Sequence, residues 1–140
     1  MLILDTDHLS ILDQDTMEGF NLGRRLSSVP PAEILVTIIT YEEQMRGWLA
    51  YAARAKTQIQ QIESYRKLWG LIEGFCEVNL VDYNTDAADQ FVKLRQAKVR
   101  VGTPDLKIAA ICLVNDATLL TRNLRHFQQV PGLKAEDWSL

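Results

Sequence analysis

Short apolar runs alternate with longer helical patterns along the whole chain, and this alternation constrains the fold more than any other feature. Four runs have the length and the β-branched content of buried strands: Met1–Leu4, Glu33–Ile39, Glu77–Val81 and Ala117–Thr121. Buried strands that are separated by helices form a mostly parallel sheet with helices on both faces. We therefore predict a three-layer α/β/α sandwich around a mostly parallel sheet of four to five strands.

The segments between these runs carry helix signals. A weakly amphipathic stretch extends to Leu26. After the second run, two apolar series with helical spacing are separated by a break near residues 56–58: Tyr41, Met45, Trp48 and Ala52, then Ile62, Tyr65, Trp69 and Ile72. These series predict a protruding helical hairpin, and its apolar side chains favour contact with a second subunit.

Two further helices and a short turn are predicted in the second half of the chain. One helix is centred on Phe91 and fades by Val99. Thr103 has the position of an N-cap, with Pro104 as the first residue of a very apolar helix. A short helical turn extends to Phe127.

Length and composition narrow the class of protein. The 140 residues contain no low-complexity linker, which predicts a single domain over residues 1–140. Two cysteines without CxxC spacing, no signal-peptide pattern and no apolar segment near the roughly 18 residues of a membrane span favour a soluble cytoplasmic protein. The net charge of -3 argues against general coating of nucleic acid.

Three acidic residues stand at junctions between predicted strands and helices: Asp5, Glu43 and Asp105. Because parallel strands deliver their carboxyl ends to one edge of the sheet, these side chains are expected to converge there. A cluster of carboxylates repels itself unless protons or a cation neutralise it, and oxygen ligands favour Mg²⁺ or Mn²⁺. The pattern predicts a catalytic metal site.

Each acid also has a structural explanation. Asp5 is placed to cap the first helix, and Glu43 follows Thr40 with the spacing of a capping box. Asp105 lies in the first turn of its helix, where the helix dipole stabilises a carboxylate by roughly 0.3–1 kcal/mol. The placement of all three acids at one edge of the sheet favours a functional explanation over a structural one.

The position of the Asp7 side chain relative to Asp5 distinguishes between two enzyme classes. If the first strand continued, Asp5 and Asp7 would share a face and act together, as the nucleophile and acid of a haloacid-dehalogenase-like phosphatase do. We expect instead that a helix begins near Thr6, so that Asp7 lies in its first turn and the two carboxylates diverge. The chain also lacks the "GDxxxD"-like segment of those phosphatases.

Several short segments, in this order, resemble the PIN-domain family and within it the VapC-type toxins: "LILDTDHLS", "TIITYEEQMRG", "PDLKIAA", "ATLLTRNLRHF" and "VPGL". The resemblance implies that Asp5, Glu43 and Asp105 are the catalytic and metal-binding acids. It further implies a Mg²⁺- or Mn²⁺-dependent endoribonuclease with RNA as substrate. Such toxins often form homodimers and are inhibited by a cognate antitoxin.

The chain departs from the family pattern after its fourth strand, where many relatives carry a further acid. Here Asn123 and His126 occupy that segment, so a catalytically inactive PIN-like binding module is an alternative. Arg122 follows a strand end and is a candidate to guide phosphate toward the acids. The accessory candidates are Thr6, Asp7, Thr121, Arg122, Asn123 and His126. His8 has no partner at zinc-ligand spacing and is interpreted as structural.

Overall fold

The computed structural model describes all 140 residues and places five strands in one sheet. The strands are β1 (Leu2–Leu4), β2 (Ile34–Thr37), β3 (Asn79–Val81), β4 (Thr118–Leu120) and β5 (Lys134–Glu136). They lie in the order β3-β2-β1-β4-β5, and every neighbouring pair is parallel. The predicted sheet is confirmed, with β5 added at its edge.

Seven helices connect the strands. They are α1 (Thr6–Leu12), α2 (Met17–Leu26), α3 (Ile38–Arg54), α4 (Gln58–Glu77), α5 (Thr85–Gln96), α6 (Thr103–Val114) and α7 (Leu124–Phe127). The single amphipathic stretch expected up to Leu26 is in fact two helices. A new cap divides them, because the Thr16 side chain accepts a hydrogen bond from the Gly19 backbone N–H.

The second strand is shorter than predicted because a helix cap ends it. The Thr37 hydroxyl accepts a hydrogen bond from the Thr40 backbone N–H at 3.3 Å, so α3 begins at Ile38. The capping box suggested for Thr40 and Glu43 is therefore wrong. Thr40 lies inside the first turn of α3, and the Glu43 side chain makes a different contact.

The start of α6 also differs by one residue from the prediction. Gly102 is the N-cap and makes no side-chain capping bond, whereas Thr103 is the first helical residue and Pro104 the second. The Thr103 hydroxyl does not cap the helix and instead accepts a hydrogen bond from Arg95 Nη2 at 2.7 Å. Asp105 is consequently the third residue of α6, still within its first turn.

Helices cover both faces of the sheet and enclose a hydrophobic core on each. On one face, α6 is buried nearly all round, as its sequence predicts, and packs with Ile3 and Leu119. On the other face, α1 and α2 place Ile11 and Leu22 against Leu4. The strands between these cores are fixed on both sides, which holds the residues that follow their carboxyl ends in position.

The predicted hairpin is formed by α3 and α4, which meet at residues 55–57. A capping box starts the second arm, since Thr57 and Gln60 exchange side-chain and backbone hydrogen bonds. Much of the apolar stripe is exposed, including 69% of Trp69 and 62% of Tyr65. None of the helices combines the length and apolar character that a membrane crossing requires.

Candidate active site

A cavity of ≈ 410 Å³ lies at the carboxyl edge of the sheet. It collects residues that follow β1 and β4, a residue from the second turn of α3 and a residue from the first turn of α6. Its acidic lining residues are Asp5, Asp7, Glu43 and Asp105. The structure therefore places the three acids predicted from the sequence in one cavity and adds a fourth. Thr6, Arg122, Asn123 and Phe127 complete the lining.

Asp5 is the N-cap of α1 and is almost completely buried. Its Oδ1 accepts a hydrogen bond from the His8 backbone N–H at 2.7 Å, and its own backbone N–H donates to the Leu120 carbonyl at 3.0 Å. Burial raises the pKa of Asp5 to about 6, although the Thr121 hydroxyl favours the charged form. The Asp5 carboxylate therefore both caps α1 and lines the cavity.

Glu43 is held by a short chain of hydroxyl groups. Thr6 Oγ1 donates to Glu43 Oε1 at 2.6 Å and lies 3.0 Å from Thr40 Oγ1. Thr40 is completely buried. These contacts join the first turn of α1 to α3 and fix the Glu43 carboxylate at the cavity. From the sequence, Thr40 was interpreted only as a cap, although it directly follows the predicted strand Glu33–Ile39 at a junction with a helix.

Asp105 lies opposite α7. His126 Nε2 lies 3.3 Å from Asp105 Oδ2, and Asn123 lines the cavity beside it. The two residues that stand where many relatives carry a further acid are thus both near the predicted metal site. Phe127 also lines the cavity and was not predicted, because its apolar side chain belongs equally to the core.

Asp7 lies in the first turn of α1, as predicted. The expected divergence of the two aspartates is wrong, however, because ligand atoms of Asp5, Asp7 and His8 all lie within 4.8 Å of one another. Arg122 Nε and Nη2 donate to Asp7 Oδ2 and Oδ1 at 2.6 Å each. This bidentate contact lowers the pKa of Asp7 and occupies both of its oxygens.

His8 is completely buried behind Asp5. The Trp138 backbone N–H donates to His8 Nε2 at 3.4 Å, while Nδ1 lies 3.7 Å from Asp5 Oδ1 and has no hydrogen-bond partner. Burial lowers the pKa of His8, so the imidazole is neutral at pH 7. The structural role of His8 stays a prediction.

The charge balance of the cavity fits a divalent cation. Asp5, Glu43 and Asp105 form no ion pair with lysine or arginine. Arg122, the one positively charged lining residue, is paired with Asp7. The uncompensated donors are carboxylate oxygens, which suit a hard ion such as Mg²⁺ or Mn²⁺.

Sequence comparison relates part of the chain to a protein named as an endonuclease. Over 73 residues, it is 36% identical to the tRNA(fMet)-specific endonuclease VapC of Salmonella typhimurium, a match that covers 49% of this chain and 55% of the relative. The chain thus spans about half the length of the curated relatives it matches. No protein-family model matches the chain.

Structural comparison extends the similarity to almost every residue. A chain of VapBC-1 from nontypeable Haemophilus influenzae superposes with a TM-score of 0.78 and 22% identity, covering 99% of this chain and 98% of that one. A chain of DNA-bound VapBC from Salmonella typhimurium gives a TM-score of 0.71 and 25% identity, with 98% and 97% coverage. The five-stranded fold is therefore one that these complexes share.

Proposed function

We propose that the chain is a metal-dependent endoribonuclease of the PIN-domain family that hydrolyses RNA phosphodiester bonds, a proposal supported by its similarity to VapC proteins. The observation that carries this proposal is the group of three carboxylates in one cavity without a lysine or arginine partner. Since the relative from Salmonella typhimurium is named for its action on tRNA(fMet), tRNA is the first substrate to test.

Asp5, Glu43 and Asp105 are the proposed ligands of Mg²⁺ or Mn²⁺. Asp7 is close to Asp5, but its two oxygens already accept hydrogen bonds from Arg122. Breaking that contact would leave an unpaired guanidinium beside a cation, which electrostatic repulsion disfavours. Asn123 supports a metal site only weakly, because an amide oxygen brings no charge to replace the acid of many relatives.

The residues of the cavity have separable roles in this reaction. When bound, the cation supplies Lewis-acid activation of the attacking water and of the scissile phosphate. Asp5 is fixed by the cap of α1, and Thr6 orients Glu43 through its hydroxyl group. Above pH 6 most Asp5 carboxyls are charged. All three acids are therefore suited to hold a cation, and the proposal assigns none of them as a general base.

We also propose an antitoxin partner and a homodimer for this protein. The exposed apolar stripe on α4, formed by Ile59, Ile62, Tyr65, Trp69 and Ile72, supports a protein contact. The structural neighbours named VapBC support an antitoxin of the VapB kind. We propose a cytoplasmic location, which the proposed RNA substrate and antitoxin partner support.

Incubation of the purified protein with end-labelled tRNA tests the activity. We expect cleavage with Mn²⁺ or Mg²⁺, none in excess EDTA and almost none for Asp105→Asn. Asp89→Asn, which changes an exposed aspartate of α5 away from the cavity, should cleave like the wild type. Persistent cleavage in excess chelator would contradict the metal mechanism.

The same preparation tests the two alternatives. A phosphatase that uses Asp5 and Asp7 would hydrolyse small phosphate esters and bind beryllium fluoride on Asp5. An inactive binding module would bind RNA or a partner without cleaving either substrate. The Arg122 contact already opposes the phosphatase, because it lowers the pKa of Asp7 and favours the charged carboxylate, which has no proton to donate.

A further inference from the structure

Arg122 is the only positively charged residue that lines the acidic cavity. It follows β4 by two residues and is half-exposed, so it is accessible to a ligand. RNA brings its phosphates to a cavity in which carboxylates outnumber this single guanidinium. Before a cation binds, Arg122 is therefore the one lining group that attracts a phosphate.

The hydrogen bonds of Arg122 leave one edge of its guanidinium free. Arginine has five N–H donors, and Arg122 uses Nε–H and one N–H of Nη2 for Asp7. Both N–H groups of Nη1 and the second of Nη2 have no partner in the structure. The Nη1–Nη2 edge has the spacing that binds two oxygens of one phosphate.

Asp7 fixes the orientation of that free edge. A half-exposed arginine without a partner samples many rotamers, and the side-chain entropy lost when it becomes ordered opposes binding. Here two hydrogen bonds of 2.6 Å fix the guanidinium to the first turn of α1, 115 positions earlier in the chain. The group is therefore oriented before any ligand arrives.

We propose that Arg122 binds a phosphate of the RNA chain through its Nη1–Nη2 edge, and that Asp7 is the positioning residue which holds the guanidinium. This inference rests on the proposed function and assigns the substrate contact that the acids cannot make. It also gives Asp7 a role apart from metal binding. A merely structural ion pair at this exposure would contribute little to stability and nothing to RNA affinity.

Binding is measured by the fluorescence anisotropy of a labelled single-stranded RNA in EDTA, where the proposed enzyme does not cleave. The decisive variant is Asp7→Asn/Arg122→Gln, because it removes a neutral ion pair and leaves the net charge unchanged. We expect its affinity to fall by at least about tenfold, the effect of losing charged hydrogen bonds. The slope of log K against log salt should become shallower by about 0.7, as for one lost phosphate contact.

Two arginine variants control this experiment. Arg24→Gln changes an exposed arginine of α2 outside the cavity and should leave affinity and slope near the wild-type values. Arg122→Lys keeps the charge but cannot form both forked contacts, so it should keep the slope and lose affinity. If the double variant binds RNA as Arg24→Gln does, Arg122 makes no phosphate contact.

Cleavage kinetics test the positioning role of Asp7. We expect Asp7→Ala to raise KM for RNA severalfold and Asp7→Asn to recover part of the loss, since its amide oxygen still accepts one hydrogen bond. An unchanged KM in Asp7→Ala would overturn this role. If the wild type binds RNA through Arg122 but does not cleave it, the proposed function fails alone. If it cleaves and the double variant is unaffected in binding, this inference fails alone.

Discussion

Asp5→Asn should abolish RNA cleavage and yet stabilise the metal-free protein at pH 7. The carboxylate of Asp5 is buried and has no lysine or arginine partner, so its charge opposes folding unless a cation is bound. Asparagine keeps the oxygen that accepts the His8 backbone N–H at the start of α1, and it is among the best N-cap residues. The substitution therefore removes the buried charge and retains the helix cap.

The pKa of Asp5 sets the size of the effect. Its value rises from 3.8 to about 6 on folding. Each tenfold change in the dissociation constant corresponds to about 1.4 kcal/mol, so the charged carboxylate lowers the free energy of unfolding by about 3 kcal/mol at pH 7. The new amide group of asparagine offsets part of the gain if it lacks a partner. We expect Asp5→Asn to gain about 1–3 kcal/mol.

The direction of the pH dependence follows from the same pKa. Because the pKa of Asp5 is higher in the folded than in the unfolded protein, binding of a proton to Asp5 stabilises the fold. This contribution is fully present below about pH 4 and is lost as the pH rises through about 6. Urea unfolding in EDTA, followed by tryptophan fluorescence, measures it between pH 4 and 8. The advantage of Asp5→Asn over the wild type should grow across this interval, and added Mn²⁺ should stabilise only the wild type.

Asp7→Asn provides the contrasting control. The pKa of Asp7 is lowered by the hydrogen bond from Arg122, so loss of its charge should destabilise the protein by about 0–1 kcal/mol at this exposed pair. It should retain much of the cleavage activity. If Asp5→Asn were less stable than the wild type at pH 7 in EDTA, the buried charge of Asp5 would not oppose folding, and the reasoning would be refuted.

Three further outcomes are expected. Glu43→Gln should lose most cleavage activity and at most about 1 kcal/mol of stability, the net contribution of one hydrogen bond, because glutamine keeps an oxygen that accepts from Thr6; full activity in the nuclease assay would show that Glu43 is not a metal ligand. Light scattering at micromolar concentration should show a homodimer, which Trp69→Ser weakens, whereas a wild-type monomer would contradict the stripe contact. Expression without the antitoxin should arrest bacterial growth unless Asp105→Asn is present, and harmless overproduction of the wild type would favour the inactive module.

Three of the four strands that were predicted from sequence are buried on both faces, whereas β3, the fourth, lies at a sheet edge and is mostly exposed. β1, β2 and β4 consist of apolar and β-branched residues between two hydrophobic cores, and this burial makes their sequence pattern visible. β5 reads Lys134, Ala135, Glu136 and lies at the sheet edge, where exposed positions tolerate polar residues. Its parallel pairing with β4 depends on tertiary contacts that a three-residue pattern does not contain.

The shared location of Asp5, Glu43 and Asp105 was predictable for a different reason. Parallel topology brings strand ends together whatever the intervening sequence, so junction residues converge. Side-chain pairings follow no such rule. Arg122 and Asp7 are 115 positions apart, and nothing in the local sequence distinguishes this pair from other combinations of opposite charge.

The structure divides four neighbouring carboxylates into two electrostatic groups. Asp7 carries its own counter-charge in Arg122 and has a lowered pKa, whereas Asp5 is buried without one and has a raised pKa. If Asp7 also lacked a partner, its charge would further raise the pKa of Asp5, because Coulomb repulsion between them already acts in that direction. A proton would then compete more strongly with a cation for Asp5 near neutral pH. The Arg122 contact therefore keeps the fourth acid from weakening the proposed metal site, while the free edge of the guanidinium remains available to the phosphate of the proposed substrate.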